Sequence, residues 1–364
     1  MRNIADTIKR LNVSRTLKSS PFALNSNTRL QPMSDFGQNP GDLLAWIYIP
    51  TTFKPGSPLA VVLHGCTQTA AAYNHGSGWS ELADRHGFAL LFPEQQRNNN
   101  PNLCFSWFAA ADTTRGQGEV HSISQMVVSL MDRYSVDRTN IYVTGLSAGG
   151  AMAAAMLATY PEMFKAGAII AGLPFGTASN VPEAFDRMRG HGVQESRILA
   201  DKVRQASDHQ GAWPAVAVWH GTADRTVDPI NMEAIIGQWW HLHELKDAPI
   251  ITSQSQRHQC RTWSDNGGVT RVEAHIISGM GHGTPIESGS DGFGTRGAFM
   301  LDVGISSTWH IAKSWNLIGE SEMPASEVAA KSYPPSARDK GTKHVNRPVG
   351  SVIEDALRAA GLMK

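Results

Sequence analysis

The chain has 364 residues, 41% of them hydrophobic, so it is long enough to bury a large core. Lys plus Arg and Asp plus Glu each total 32, which leaves no net charge and no basic footprint for nucleic acid. Arg2, Asp6, Lys9, Arg10 and Arg15 interrupt the N-terminus, so no secretory signal is visible, and no run is long and apolar enough to span a bilayer.

On these grounds the expected location is the cytoplasm, unless an export signal was removed or takes another form. In chain order, residues 1–40 read as an N-terminal extension with a helical stripe at Ile4, Ile8, Leu11 and Leu17. LLAWIYIP (Leu43 to Pro50) predicts a short strand, and the unbroken apolar run LAVVLHG (Leu59 to Gly65) predicts one covered on both faces. SGWSELADRHG follows as a helix stopped by Gly87, then FALLFPEQ as a strand ended by Pro93. The stretch from Arg97 to Gly118, rich in asparagine, proline, glycine and aromatics, predicts a loop that binds or covers something. A helix from about Val120 to Tyr134, the strand NIYVTG and a helix opening at Ser147 come next, and residues 175–212 read as an insertion or lid. WPAVAVWHG and TRVEAHIIS are the remaining good strands, with a helix around Asn231 to Leu245 between them, and ISSTWHIAKSWNL is the last core helix. Residues 319–364 read as a polar tail ending in a short amphipathic helix, SVIEDALRAAGLMK. The alternation predicts an α/β domain over residues 41–318, with a mostly parallel sheet between two helical layers.

The chemistry starts at Gly145-Leu146-Ser147-Ala148-Gly149. A strand that turns at once into a helix strains the serine, and the residues two before and two after must lack side chains for the chains to pass. Ser147 would then stand exposed at the carboxyl edge of the sheet, facing the N–H groups of the helix. A serine is a weak nucleophile without a base and an orienting acid, expected here in the order acid then histidine. Asp224 lies in the turn after the strand ending His220-Gly221 and is preferred to Asp228, which sits further from the sheet edge. Of 14 histidines, only His282 is on a glycine loop after the late strand, whereas His64, His121, His220, His241, His243 and His275 fall within strands, helices or turns. The turn after Leu63 would aim the Cys66 N–H at the site, with the Ala148 N–H as second oxyanion donor.

With LHGCTQTAAAY, GWSELADRHGFALLFPEQ, CFSWF, RGQGEVHSISQMV, YVTGLSAGGAMAAAMLATYPEMF, HGTADRTVDP and GMGHGTPI, residues 40 to 316 resemble the esterases that include polyhydroxybutyrate depolymerases. Feruloyl and acetyl-xylan esterases are related to the same group. The resemblance implies an α/β-hydrolase fold and a serine esterase acting on hydroxyalkanoate-type oligoesters, with feruloyl or acetyl-xylan esters as the alternative. It implies Ser147 as nucleophile, Asp224 as acid, His282 as base and Cys66 and Ala148 as backbone donors, with Trp107 and Gln68 as substrate-binding residues. For Trp107 a place in the core is an equal expectation. The ester is the one partner implied, with neither metal nor organic cofactor. Secreted members carry a signal peptide and sometimes a polymer-binding domain, neither visible here, so a soluble oligomer or small ester is as much expected as a polymer. The three cysteines, Cys66, Cys104 and Cys260, allow three free thiols, or a Cys66–Cys104 bridge beside the cleft as in an oxidising compartment. The contrasting expectation is a binding protein that keeps the scaffold without the chemistry.

Overall fold

The computed structural model describes residues 29–247, 249–255, 257–289 and 293–319. The helical stripe predicted near the N-terminus and the amphipathic helix predicted at the C-terminus lie outside them. Along the first half run β1 (Gln31–Pro32), β2 (Leu44–Tyr48), β3 (Leu59–Leu63), α1 (Ala70–Ser77), α2 (Trp79–His86), β4 (Ala89–Glu94), α3 (Ala110–Thr113), α4 (Gly118–Tyr134), β5 (Ile141–Leu146) and α5 (Ala148–Thr159). Then come β6 (Ala166–Ile170), α6 (Val181–Met188), α7 (Ser196–Gln205), β7 (Ala215–Gly221), α8 (Ile230–Leu242), β8 (Ile250–Gln254), β9 (His258–Ser264), β10 (Thr270–Ile277), β11 (Thr284–Ile286), β12 (Met300–Asp302) and α9 (Ser307–Ser314).

Apolar runs force the central strands to be covered twice. In β3, Leu59, Val61 and Leu63 face one core layer while Ala60 and Val62 face the other. The first layer holds α4, α5 and α8 through residues such as Val127, Met152 and Trp239. The second holds α1, α2 and α9 through Tyr73, Leu82 and Trp309. The ten-stranded sheet has the order β1-β2-β4-β3-β5-β6-β7-β10-β9-β8. Its middle, β4-β3-β5-β6-β7-β10, is parallel, and both edges are antiparallel.

Register brings the ends of the parallel strands level. Leu63 pairs with Gly145, Leu146 with Ile170, Ile170 with Trp219 and Ile277 with Gly221. The turns after β3, β5, β7 and β10 therefore open on one edge, where ligands of open α/β sheets bind.

The chain departs from the sequence reading at Pro93 and in the N-terminal extension, among other places. Pro93 does not end β4, which continues to Glu94. It lies opposite Ala45 and beyond Val61↔Leu91, the last pair tying β4 to β3, so its missing N–H breaks no bond on that side. Part of the expected extension joins the domain: β1 pairs with β2, and Leu30 and Met33 are buried. The insertion over 175–212 contains α6 and α7, and α7 packs on α8 through buried Leu199 and Val203.

Candidate active site

The turn from β5 into α5 holds Ser147 at φ 57°, ψ −118°, a conformation that L side chains rarely adopt. Its N–H donates to the Ile170 carbonyl at 2.9 Å, and its own carbonyl accepts the Ala151 N–H at 2.9 Å. A Cβ at Gly145 would overlap the Gly149 carbonyl and stand 2.9 Å from the Gly150 nitrogen. One at Gly149 would overlap the His64 carbonyl and stand 2.5 Å from that of Leu63. Both glycines are needed because β3, β5 and α5 meet backbone to backbone around the serine.

Two further turns meet in the same way. After β7 and β10, the Thr222 N–H donates to the Ile277 carbonyl at 3.0 Å and the Ala223 N–H to that of Met280 at 2.9 Å. A Cβ at Gly221 would overlap the Met280 carbonyl. This approach brings His282 Nδ1 to 2.7 Å from Asp224 Oδ2 and its Nε2 to 3.0 Å from Ser147 Oγ. Asp224 Oδ1 accepts the N–H groups of Thr226 at 2.8 Å and Val227 at 3.0 Å. Burial on its own would raise the Asp224 pKa, but hydrogen bonds from His220 and His282 outweigh it and hold the carboxyl well below the usual range. Asp224 is therefore held as an anion against His282 Nδ1, and His282 Nε2 faces Ser147 Oγ. Asp228 instead accepts the Ile230 N–H at the start of α8. Of the other histidines weighed from the sequence, His121 turns to Tyr160, His243 to the Pro214 carbonyl and His275 to His258.

The turn after β3 is braced from below. His64, fully buried, donates from Nδ1 to the Gly65 carbonyl at 2.7 Å and accepts the Gln95 N–H on Nε2 at 3.1 Å. Burial brings its pKa down to about 4. A disulfide joins Cys66 to Cys104, and the Thr67 N–H donates to the Asn102 carbonyl at 2.6 Å. The loop is anchored in turn by Glu119, which accepts the Ser106 N–H at 2.9 Å and the Gln95 side-chain amide at 2.5 Å. Burial, with Asp112 nearby, pushes the Glu119 carboxyl up to about 8.

Gln68 differs from the expectation that it binds substrate. Its Oε1 accepts the Gly65 N–H at 2.9 Å, its Nε2 donates to the Ala298 carbonyl at 3.3 Å, and it is absent from the lining of the cavity above Ser147. It holds the turn in place. Trp107 does line that cavity, together with Phe108, Leu173 and the disulfide, and α6 contributes Val181, Ala184, Phe185 and Met188. The space amounts to about 800 Å³ including its open mouth, and Cys66, Ser147 and Ala148 are part of its lining. The site is thus a hydrogen-bonded serine under an apolar pocket.

Residues 45–262 match the family described as Esterase PHB depolymerase. A poly(3-hydroxyalkanoate) depolymerase C from Paucimonas lemoignei is 39% identical over 329 residues, 87% of this chain and 79% of its own. The chain belongs to the PHB depolymerase esterase family. A probable acetylxylan esterase A of Aspergillus flavus is 31% identical over 271 residues, covering 72% of this chain and 86% of its own. An acetyl xylan esterase from Aspergillus awamori shares the fold, with a TM-score of 0.68 over 79% of this chain and 99% of that one at 22% identity. This family member is a carboxylic ester hydrolase with the α/β-hydrolase fold. The sequence reading of the esterase missed His220, buried beside Asp224, and Phe299, whose ring meets that of His282 edge-on at 6.1 Å. The spacing of His220 four residues before Asp224, across a strand end, was the available signal for the first.

Proposed function

We propose that Ser147, His282 and Asp224 hydrolyse hydroxyalkanoate-type oligoesters through an acyl-enzyme. Ser147 Oγ attacks the ester carbonyl as its proton passes to His282 Nε2, and the new oxyanion accepts the Cys66 and Ala148 N–H groups. The tetrahedral adduct collapses, and His282 returns the proton to the departing alcohol oxygen. Water then gives a proton to His282, attacks the acyl carbon and expels Ser147, which regains its proton. Asp224 stays ionised throughout and stabilises the imidazolium. The observation that carries this reading is the hydrogen-bonded chain from Asp224 through His282 to Ser147, with links of 2.7 and 3.0 Å, opening on an apolar cavity.

The walls support the substrate class. Trp107, Phe108, Leu173, Val181, Phe185 and Met188 offer apolar contact to short alkyl branches and few partners for the hydroxyls of a sugar. The relation to a poly(3-hydroxyalkanoate) depolymerase points the same way. Purified protein is assayed on 3-hydroxybutyrate oligomers, methyl ferulate and acetylated xylan. The highest kcat/KM is expected on the oligomers, and a preference for acetylated xylan would overturn the substrate assignment.

A further inference from the structure

His220 is fully buried at the end of β7, where a Phe or Leu would fill the space without a polar atom to satisfy. Its Nε2 lies 2.9 Å from the Val227 carbonyl and 3.3 Å from Asp224 Oδ2. A carbonyl and an ionised carboxylate only accept, so these partners place the proton on Nε2, shared between the two. Nδ1 has no partner among the described residues, although it is buried. The imidazole thus leaves one buried atom unpaired, and what it makes in return is a bond to the acid of the site.

We infer that His220 is a positioning residue that acts through Asp224, locking the carboxylate so that it can orient His282. Oδ2 receives N–H groups from two imidazoles, His282 and His220, while Oδ1 receives the amides of Thr226 and Val227. Rotation of the carboxylate would break all of these bonds together. The Val227 carbonyl ties the far side of the same loop to His220, and Val227 itself lines the cavity. One imidazole therefore fixes both the acid and a wall of the pocket. The other charged or titratable side chain on Asp224 is His282, and the Asp224 loop also carries Asp228, which is turned to the start of α8.

This inference rests on the triad reading, and a double-mutant cycle separates the two. kcat and KM on a p-nitrophenyl ester are measured for the full chain, His220→Phe, Asp224→Asn and the double variant. Losing the bond should lower kcat about tenfold with KM within about twofold, because the fixed imidazole matters in the transition state. In the Asp224→Asn background the same change should cost less than about threefold. Equal losses in both backgrounds would overturn the inference, since His220 would then act on structure alone. An Asp224→Asn variant of full activity would instead overturn the triad. Should His220→Phe not fold, His220→Gln and His220→Asn carry the same test. The Gln amide reaches the Nε2 position and should keep most of kcat, whereas the Asn amide stops short and should lose it. Equal kcat in these two also refutes the role.

Discussion

Replacing Gly145 or Gly149 by alanine tests whether backbone crowding is what exposes Ser147. The added Cβ at Gly149 would stand 2.5 Å from the Leu63 carbonyl, and that at Gly145 would stand 2.9 Å from the Gly150 nitrogen as well as overlapping a carbonyl. Since the neighbours are backbone, relief requires the β5–α5 turn to move by about 1 Å, and Ser147 sits in the middle of it. A misplacement of that size costs about 100-fold in rate, because the serine leaves the reach of His282 Nε2. The strain should also remove about 1–3 kcal/mol of stability, which at this size lowers Tm by roughly 2–4 °C for each kcal/mol. Gly281→Ala is the control: a Cβ there meets nothing within 4 Å, and the residue has no positive φ. Steady-state hydrolysis of p-nitrophenyl butyrate and a thermal melt, run on all three variants, read the effect. If Gly145→Ala and Gly149→Ala keep wild-type kcat, or if Gly281→Ala loses as much, the steric account of the turn is wrong.

Two other outcomes follow from the buried histidines and from the disulfide beside the site. Stability should fall as the pH drops from about 6.5 toward 4, because burial holds His64, His243 and His258 at about 4, so the unfolded chain takes up protons first. His64 alone is worth about 3 kcal/mol by this linkage, since a second ring proton would face the Gln95 N–H. Burial lowers His275 too, but its contacts with Cys260 and Glu273 raise it on balance, and Glu119 is pushed up to about 8, so these two groups oppose the trend in part. Urea unfolding at pH 7.5, 5.5 and 4 checks this, and a flat midpoint would contradict it. Reduction of the Cys66–Cys104 bridge should lower kcat several-fold while the global fold persists, because the disulfide joins the donor turn to the loop bearing Trp107. Activity after dithiothreitol treatment, beside a far-UV spectrum, reads it, and unchanged kcat with two additional thiols titrated would refute it.

How much could be read from the sequence depends on how local each signal was. Ser147, Asp224 and His282 each lie just past the carboxyl end of an apolar strand, beside glycines that allow close approach, so strand pattern and position were enough to pair them. β6 escaped notice because AGAII opens on two small residues and carries little β pattern of its own. β8 and β9 are antiparallel, with Ile250 and Ile251 exposed and β9 only partly buried, so IITSQ and HQCRTWS lack the unbroken apolar run that marked the parallel strands. Gln68 was expected to bind substrate from the family resemblance, yet its second partner, the Ala298 carbonyl, is 230 positions away. His220 looked like a strand residue, and its bond to Asp224 exists because the chain reverses after Gly221.

In the proposed reaction Ser147 carries the acyl group. Titration with diethyl p-nitrophenyl phosphate, followed by intact-mass and peptide mass spectrometry, measures this on the full chain. One equivalent of p-nitrophenol with one phosphoryl adduct on Ser147, and neither in Ser147→Ala, is the predicted result. An adduct on another residue, or full ester turnover by Ser147→Ala, would contradict it.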